Sequence, residues 1–196
     1  MELITDFLAE WGYMALFITM ALENMNVPIP SEIVLGFAGF LVSQEVFTFW
    51  PTVAVGTAAG VAGSLASYWI GYRGGRTVLL KYGSHMKLSS KKLVAADSWF
   101  QRYGGIAVFT GRLLPGIRTF ISLPAGIAQY PLPHFVLFTI LGTVPWTMLL
   151  VYVGSVLGDN WQTILDYHYE IAAGSAALVL VICAVYFYLR RVKEKD

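Results

Sequence analysis

Charge is what this chain has least of. Only 13% of its 196 residues are charged, against 57% hydrophobic, whereas soluble domains carry about a quarter charged. An ordinary soluble domain is therefore excluded, and a formal net charge of +1 offers no electrostatic footprint for a nucleic-acid partner. Cysteine is scarcer still. Cys183 stands alone, so no intramolecular disulfide or cysteine metal cluster can form, and in its apolar run it packs rather than reacts. His85, His134 and His168 are scattered without metal-ligand spacing. No metal or cofactor is expected. The start also lacks basic residues: Glu2, Asp6 and Glu10 come before the first one, Arg73, unlike the basic opening of a cleaved signal peptide.

Apolar sequence is abundant instead. Several stretches reach the roughly 20 residues that a helix needs to cross a hydrocarbon core of about 30 Å. The basic residues fall into three groups. Arg73, Arg76, Lys81, Lys87, Lys91, Lys92 and Arg102 share one polar segment, Arg190, Arg191, Lys193 and Lys195 form the tail, and Arg112 and Arg118 stand alone in apolar sequence. Positive-inside bias places the 73–103 segment and the 190–196 tail in the cytoplasm of a multi-pass protein of the plasma (inner) membrane.

That placement constrains the crossings. Residues 170–189 read as a spanning helix ending inside at the tail, so the spanning helix 132–158 before it must begin inside. The apolar stretch 105–130 then both leaves and returns on the cytoplasmic side, and Pro115, Gly116 and Pro124 supply its breaks. It reads as a re-entrant hairpin. In the first half, 47–72 spans and ends at Arg73. Upstream, 23–45 is broken by Pro28 and Pro30, and after Ser31, read as an N-cap, only about ten apolar residues follow, too few to span. A second hairpin entering from outside fits, preceded by a helix over 1–22 that starts inside or lies along the interface. The predicted fold is an all-α polytopic bundle with two oppositely oriented re-entrant hairpins forming an inverted repeat. PSEIVLGFAG and RTFISLPAG echo each other weakly across the halves. Within the cytoplasmic segment, 86–103 has the spacing of an amphipathic helix, either on anionic lipid or packed on the bundle.

The chemistry concentrates in four residues. Glu23 and Glu32 lie in the first hairpin, Arg112 and Arg118 in the second. Charges at membrane depth are costly and face partners or wet cavities. One reading makes these four structural ion pairs between hairpins. The other makes the arginines a bidentate phosphate grip, helped by half-helix N-termini near Ser31 and Ser122, with the carboxylates exchanging protons. Thr119 joins the same break as a candidate cavity liner, and Asn24 and Gln129 flank the hairpins. Gly56, Gly60 and Ser64, with Gly63, form a small-residue line for helix packing, within the chain or across a homodimer. Trp50, Trp69, Trp146 and Trp161 read as interface anchors, Trp146 beside Pro145 being nearer midspan.

E-N-x-x-x-P-x-P-S-E over 23–32 and G-R-x-x-P-G-x-R-T-x-x-S-x-P-A-G over 111–126 resemble the DedA family of bacterial membrane proteins, related to the VTT-domain lipid scramblases of eukaryotes. The similarity covers about residues 10–160. It implies opposed re-entrant hairpins, dependence on proton-motive force and transport of lipid. Some members resemble translocases that return undecaprenyl phosphate to the cytoplasmic leaflet for cell-envelope synthesis. The family's functional acidic pair carries over to Glu23 and Glu32, the second being Asp in many members, and its arginines to Arg112 and Arg118. The expected partners are a lipid phosphate, protons and bilayer lipid. A proton-coupled cation or drug exchanger and a general phospholipid scramblase remain alternatives. An intramembrane phosphatase lacks any Ser/His/Asp series spaced for nucleophilic catalysis.

Overall fold

The computed structural model describes residues 2–75, 90–114 and 116–160, together with Gly174, Ala177, Leu180, Val181 and Ala184. Pro115, the 76–89 part of the basic segment, Trp161, most of 170–189 and the 190–196 tail lie outside the described residues. Between residues 2 and 160 the described residues form seven α-helices in order: α1 Glu2–Asn24, α2 Ser31–Ser43, α3 Phe49–Ile70, α4 Ser90–Arg112, α5 Ile117–Phe120, α6 Ser122–Ile127 and α7 Leu132–Leu157. A π-turn, Gly71–Gly75, extends α3, and a 3₁₀ turn, Gly158–Asn160, closes α7. No strand occurs among the described residues. Among the described residues two helical stretches, Phe49–Gly75 and Leu132–Asn160, are long and apolar enough to cross a membrane. The shorter α2, 13 residues, is about 20 Å long and is not.

Local chemistry sets the breaks. α1 bends at Gly12, which takes φ 58°, and it runs on through Glu23 and Asn24 before stopping at Asn26 in the left-handed region, φ 71°. The first hairpin thus turns over Met25–Pro30, and Glu23 belongs to a helix rather than to the break. Ser31 is not the cap expected of it. Pro30 holds the N-cap position in extended conformation without a side-chain cap bond, because its ring fixes φ ahead of the helix. Ser31 is the first helical residue and donates to Glu32 Oε2 at 3.3 Å. In the second half, α4 runs unbroken from Ser90 to Arg112, so no boundary falls at 103–105. Gly104 and Gly105 do not break it, because the rings of Tyr130 and Phe138 pack directly onto them.

The long helices α3 and α7 pack on each other, and each also carries a helix from its own half: α1 lies on α3 and α4 on α7. The short helices cross over. α2 packs chiefly on α7, and α6 on α3 and its π-turn. Both crossings bring backbones together. A Cβ on Gly39 would collide with the Val151 carbonyl oxygen and one on Gly154 with that of Gly36. At the other crossing, Gly126 meets the Tyr68 carbonyl and Gly71 that of Leu123. Two apolar cores result. One joins Leu16, Met20, Leu35, Trp146 and Leu150, the other Tyr68, Val108, Ala125 and Phe135.

The outside is more apolar than much of the inside. Trp50 and Val156 are 66% and 65% exposed, and Met14, Phe17, Leu137 and Leu149 also face outward. Glu23, Asn24, Arg112, Arg118, Ser64 and Thr143 are buried. Water would reject such an exterior, whereas a bilayer accepts it.

Candidate functional site

The charged centre forms where the ends of the two hairpins meet. The last turn of α1 delivers Glu23 and Asn24, the last turn of α4 delivers Arg112, and α5 delivers Arg118. Gly116, at φ 77°, makes the bend that sends α5 back after α4. A Cβ there would meet nothing within 4 Å, so conformation rather than space calls for glycine.

A single chain of hydrogen bonds joins the two arginines. Arg112 Nη1 donates to Asn24 Oδ1 at 2.7 Å. Asn24 Nδ2 donates to Glu23 Oε2 at 2.6 Å and to the Met20 carbonyl at 2.9 Å. Arg118 Nη2 closes the series with an ion pair to the same Glu23 oxygen at 3.4 Å. Asn24 therefore acts as the connector, accepting from one arginine and donating to the carboxylate that binds the other.

Around this chain the two arginines differ. Arg112 is fully enclosed. Its Nη2 donates to Ser122 Oγ at 2.5 Å, and it makes no ion pair within the described residues. Arg118 forms part of the wall of a cavity of about 340 Å³, with Glu23, Asn26, Pro28, Pro30, Ser31, Glu32, Gly116 and Thr119. Its guanidinium lies 5.5 Å over the Trp146 ring, and its Nε and Nη1 have no partner. Two donors of a planar fork thus stay free in a low-dielectric wall, which is the arrangement that captures an oxyanion. Val27, Ile29 and Phe120 supply apolar wall, and Phe120 is 56% exposed on the outer surface.

The structure brings Glu23, Pro28, Pro30, Ser31, Glu32, Gly116, Arg118 and Thr119 to one cavity. Arg112 and Ser122 lie off that wall, bonded to each other behind it, and Pro124 is exposed on α6. Gln129 is exposed in the turn after α6, and Trp146 lies under Arg118 rather than on the wall. Sequence reasoning passed over Asn26. Its amide donates to the Thr119 carbonyl at 3.1 Å and accepts from Ser67 Oγ at 2.6 Å, so it ties the first turn to the second hairpin and to α3. An Asn directly before a Pro-rich break, in a region otherwise apolar, was the available signal. Among the described residues no group of three or more His, Cys, Asp or Glu is placed to hold a metal.

Comparison with known proteins identifies the relatives of the chain. The VTT domain model matches residues 29–156, which include Glu32, Arg112 and Arg118. Undecaprenyl phosphate transporter A of Bacillus subtilis (strain 168) is 35% identical over 188 residues, spanning 96% of this chain and 93% of that protein. Uncharacterized membrane protein YkoX of the same organism is 38% identical, over 94% of this chain and 81% of that protein. An alkaline phosphatase-like protein of Lactococcus lactis subsp. cremoris (strain MG1363) is 31% identical, over 100% and 95%. No solved structure matches. With a helical fold, an apolar exterior, a buried charge centre and these relatives, the chain belongs to the VTT-domain (DedA) family of membrane proteins.

Proposed function

We propose that the protein moves a polyprenyl phosphate, undecaprenyl phosphate in bacteria, between the leaflets of the plasma membrane and returns it to the cytoplasmic side. The observation that carries this is the state of Arg118: buried in a cavity wall, half engaged by Glu23 at 3.4 Å, with Nε and Nη1 unpartnered. A phosphate monoester can accept from Nη1, and completes a two-bonded fork with Nη2 as Glu23 gives that nitrogen up. Arg112 contributes through Asn24, holding Glu23 at the distance that leaves Arg118 available. The polyprenyl tail stays in the bilayer beyond Phe120 and Val27, because moving it into a polar passage would forfeit about 0.8 kcal/mol per methylene.

Proton coupling follows from charge. The cavity holds one cation, Arg118, and two carboxylates, Glu23 and Glu32. An entering phosphate meets a wall of net negative formal charge, and a proton on either carboxylate relieves the repulsion. Lipid binding and proton uptake are then linked, and proton-motive force can bias the cycle. The crossed packing of α2 on α7 and α6 on α3 supports an inverted repeat of two re-entrant hairpins, rocking against each other for alternating access. The basic segments orient 73–103 and the C-terminus inward.

The test is binding and transbilayer movement of undecaprenyl phosphate by purified protein in vesicles, against undecaprenol and phosphatidylglycerol. Selective binding and movement that Arg118→Ala abolishes are expected. Equal handling of the three lipids would return Arg118 to a structural ion pair and favour an unselective scramblase. Release of inorganic phosphate, as the printed name of the Lactococcus relative suggests for that protein, would favour a hydrolase.

A further inference from the structure

Several helical hydroxyls in this chain close on their own backbone. Thr19 Oγ1 donates to the Ala15 carbonyl at 2.7 Å, Thr52 to Thr48 at 2.8 Å and Thr110 to Ile106 at 2.6 Å. This is a common recourse of a hydroxyl within a helix. One row on α7 does otherwise. Thr139, Thr143 and Thr147 are 0%, 2% and 0% exposed, yet none of their hydroxyls has a partner, nor has Trp146 Nε1 beside them.

Four-residue spacing puts the three on one helix face, about 6 Å apart and about 12 Å in all. The carbon arms of Thr143 and Thr147 are accounted for. A Cβ on Gly60 would lie 3.1 Å from Thr143 Cγ2, and one on Gly56 would lie 3.0 Å from Thr147 Cγ2. The methyls therefore fill the glycine notches of α3, a role that valine would perform as well. A buried hydroxyl without a partner costs about 1–3 kcal/mol, so a row of three beside an unpartnered indole N–H calls for a ligand that hydrogen-bonds. Hydroxyls about 6 Å apart lie beyond the reach of one water with bonds of about 2.8 Å, and two waters in series bridge them.

The row reaches the charge centre. The same point above Gly60 lies 3.6 Å from Asn24 Nδ2, and a Cβ on Gly142 would come within 2.5 Å of Arg112 Cβ. Thr143 thus lies beside Asn24, and its neighbour Gly142 packs on Arg112. The charged groups facing that centre are Glu23 from α1, Glu32 from α2, Arg112 from α4 and Arg118 from α5. α3 and α6 contain no charged residue, and α7 has only His134, in its first turn. No α7 residue lines the Arg118 cavity, so the row is a separate feature.

We infer that Thr139, Thr143 and Thr147 line a hydrated seam between α3 and α7 through which protons reach the Asn24–Arg112 centre. Its role, though not its hydration, rests on the proton-linked transport proposed above. Hydration is read by hydroxyl-radical footprinting of the purified full chain in ¹⁸O-water, with wild type and Thr143→Val compared. Trp146 and Met20 are both sealed from the surface, at 3% and 0%, and both react readily with radicals. The expectation is that Trp146 oxidises roughly fivefold faster than Met20 in the wild type and falls to the Met20 rate in the variant. Trp146 as slow as Met20, with a variant that merely melts higher, would overturn the seam. Fast labelling unchanged in the variant would assign the water to the Arg118 cavity and overturn it too.

Role is read separately. In vesicles Thr143→Val keeps wild-type binding of undecaprenyl phosphate, while transport driven by a pH gradient falls about tenfold. Transport unchanged by the variant would overturn the proton role. A wild type that moves no lipid phosphate would sink the proposed function, and the footprint would still decide the seam.

Discussion

Arg112 and Arg118 are six residues apart, almost equally buried at 1% and 2% exposure, and joined by one hydrogen-bond chain, yet their surroundings are opposite in kind. Arg112 has its two terminal nitrogens bonded to neutral oxygens, those of Asn24 and Ser122, and only its Nε without a partner. Arg118 holds a carboxylate at 3.4 Å, an aromatic face, and two donors with nothing on them. One is a cation used as a fixed strut. The other is a cation kept partly unsatisfied, as a group that must accept and release a ligand has to be. Burial alone does not separate binding from structure; a free terminal nitrogen beside a cavity does.

The largest test of that contrast is Arg112→Ala. It strands Asn24 and Ser122 in the interior at about 1–3 kcal/mol each, so a fall in melting temperature and in folded yield in detergent is expected. Arg118→Ala leaves its mark on binding instead: lipid-phosphate affinity drops roughly 100-fold, the worth of about two charge-assisted hydrogen bonds, and any fall in melting temperature comes from the stranded Glu23 carboxylate. Adding Glu23→Gln to Arg118→Ala removes the stranded carboxylate and should recover any lost melting temperature without recovering binding. Similar profiles for the two alanine variants would erase the distinction. Arg118→Lys sharpens it: the charge stays but the planar fork is lost, and affinity should fall about tenfold in a vesicle binding assay. Trp146→Leu is the smallest effect, because an aromatic face under a cation contributes about 0.5–2 kcal/mol. Binding should weaken by a few-fold, and Trp146→Phe should restore it.

The sequence showed which residues would matter more clearly than how they would divide the work. Four ionisable groups in apolar sequence have few places to go, so their meeting was legible from burial cost alone. The split between Arg112 and Arg118 was not, because the bend at Gly116 erases helical phase between them. Asn24 looked like a flanking polar residue, since a neutral amide carries no burial penalty large enough to announce itself. The helix through Gly104 and Gly105 was hidden for another reason. Glycine weakens a helix by about 1 kcal/mol in isolation, but here the rings of Tyr130 and Phe138 occupy the space it leaves. The crossed packing of the short helices left no local trace beyond small residues at Gly36, Gly39 and Gly126.

That crossing also governs the order in which the protein can be built. α2 finds its seat on α7, which leaves the ribosome roughly 100 residues later, or about 5–20 seconds at ordinary rates of synthesis. For most of that delay Glu23 and Glu32 have neither Arg112 nor Arg118 to meet, and α2, too short to span, lacks the helix on which it chiefly packs. The seat of α2 and the partners of both carboxylates are therefore complete only when the second half arrives. Slowing translation between α2 and α7 should lengthen that exposure and hand more of the chain to membrane proteases.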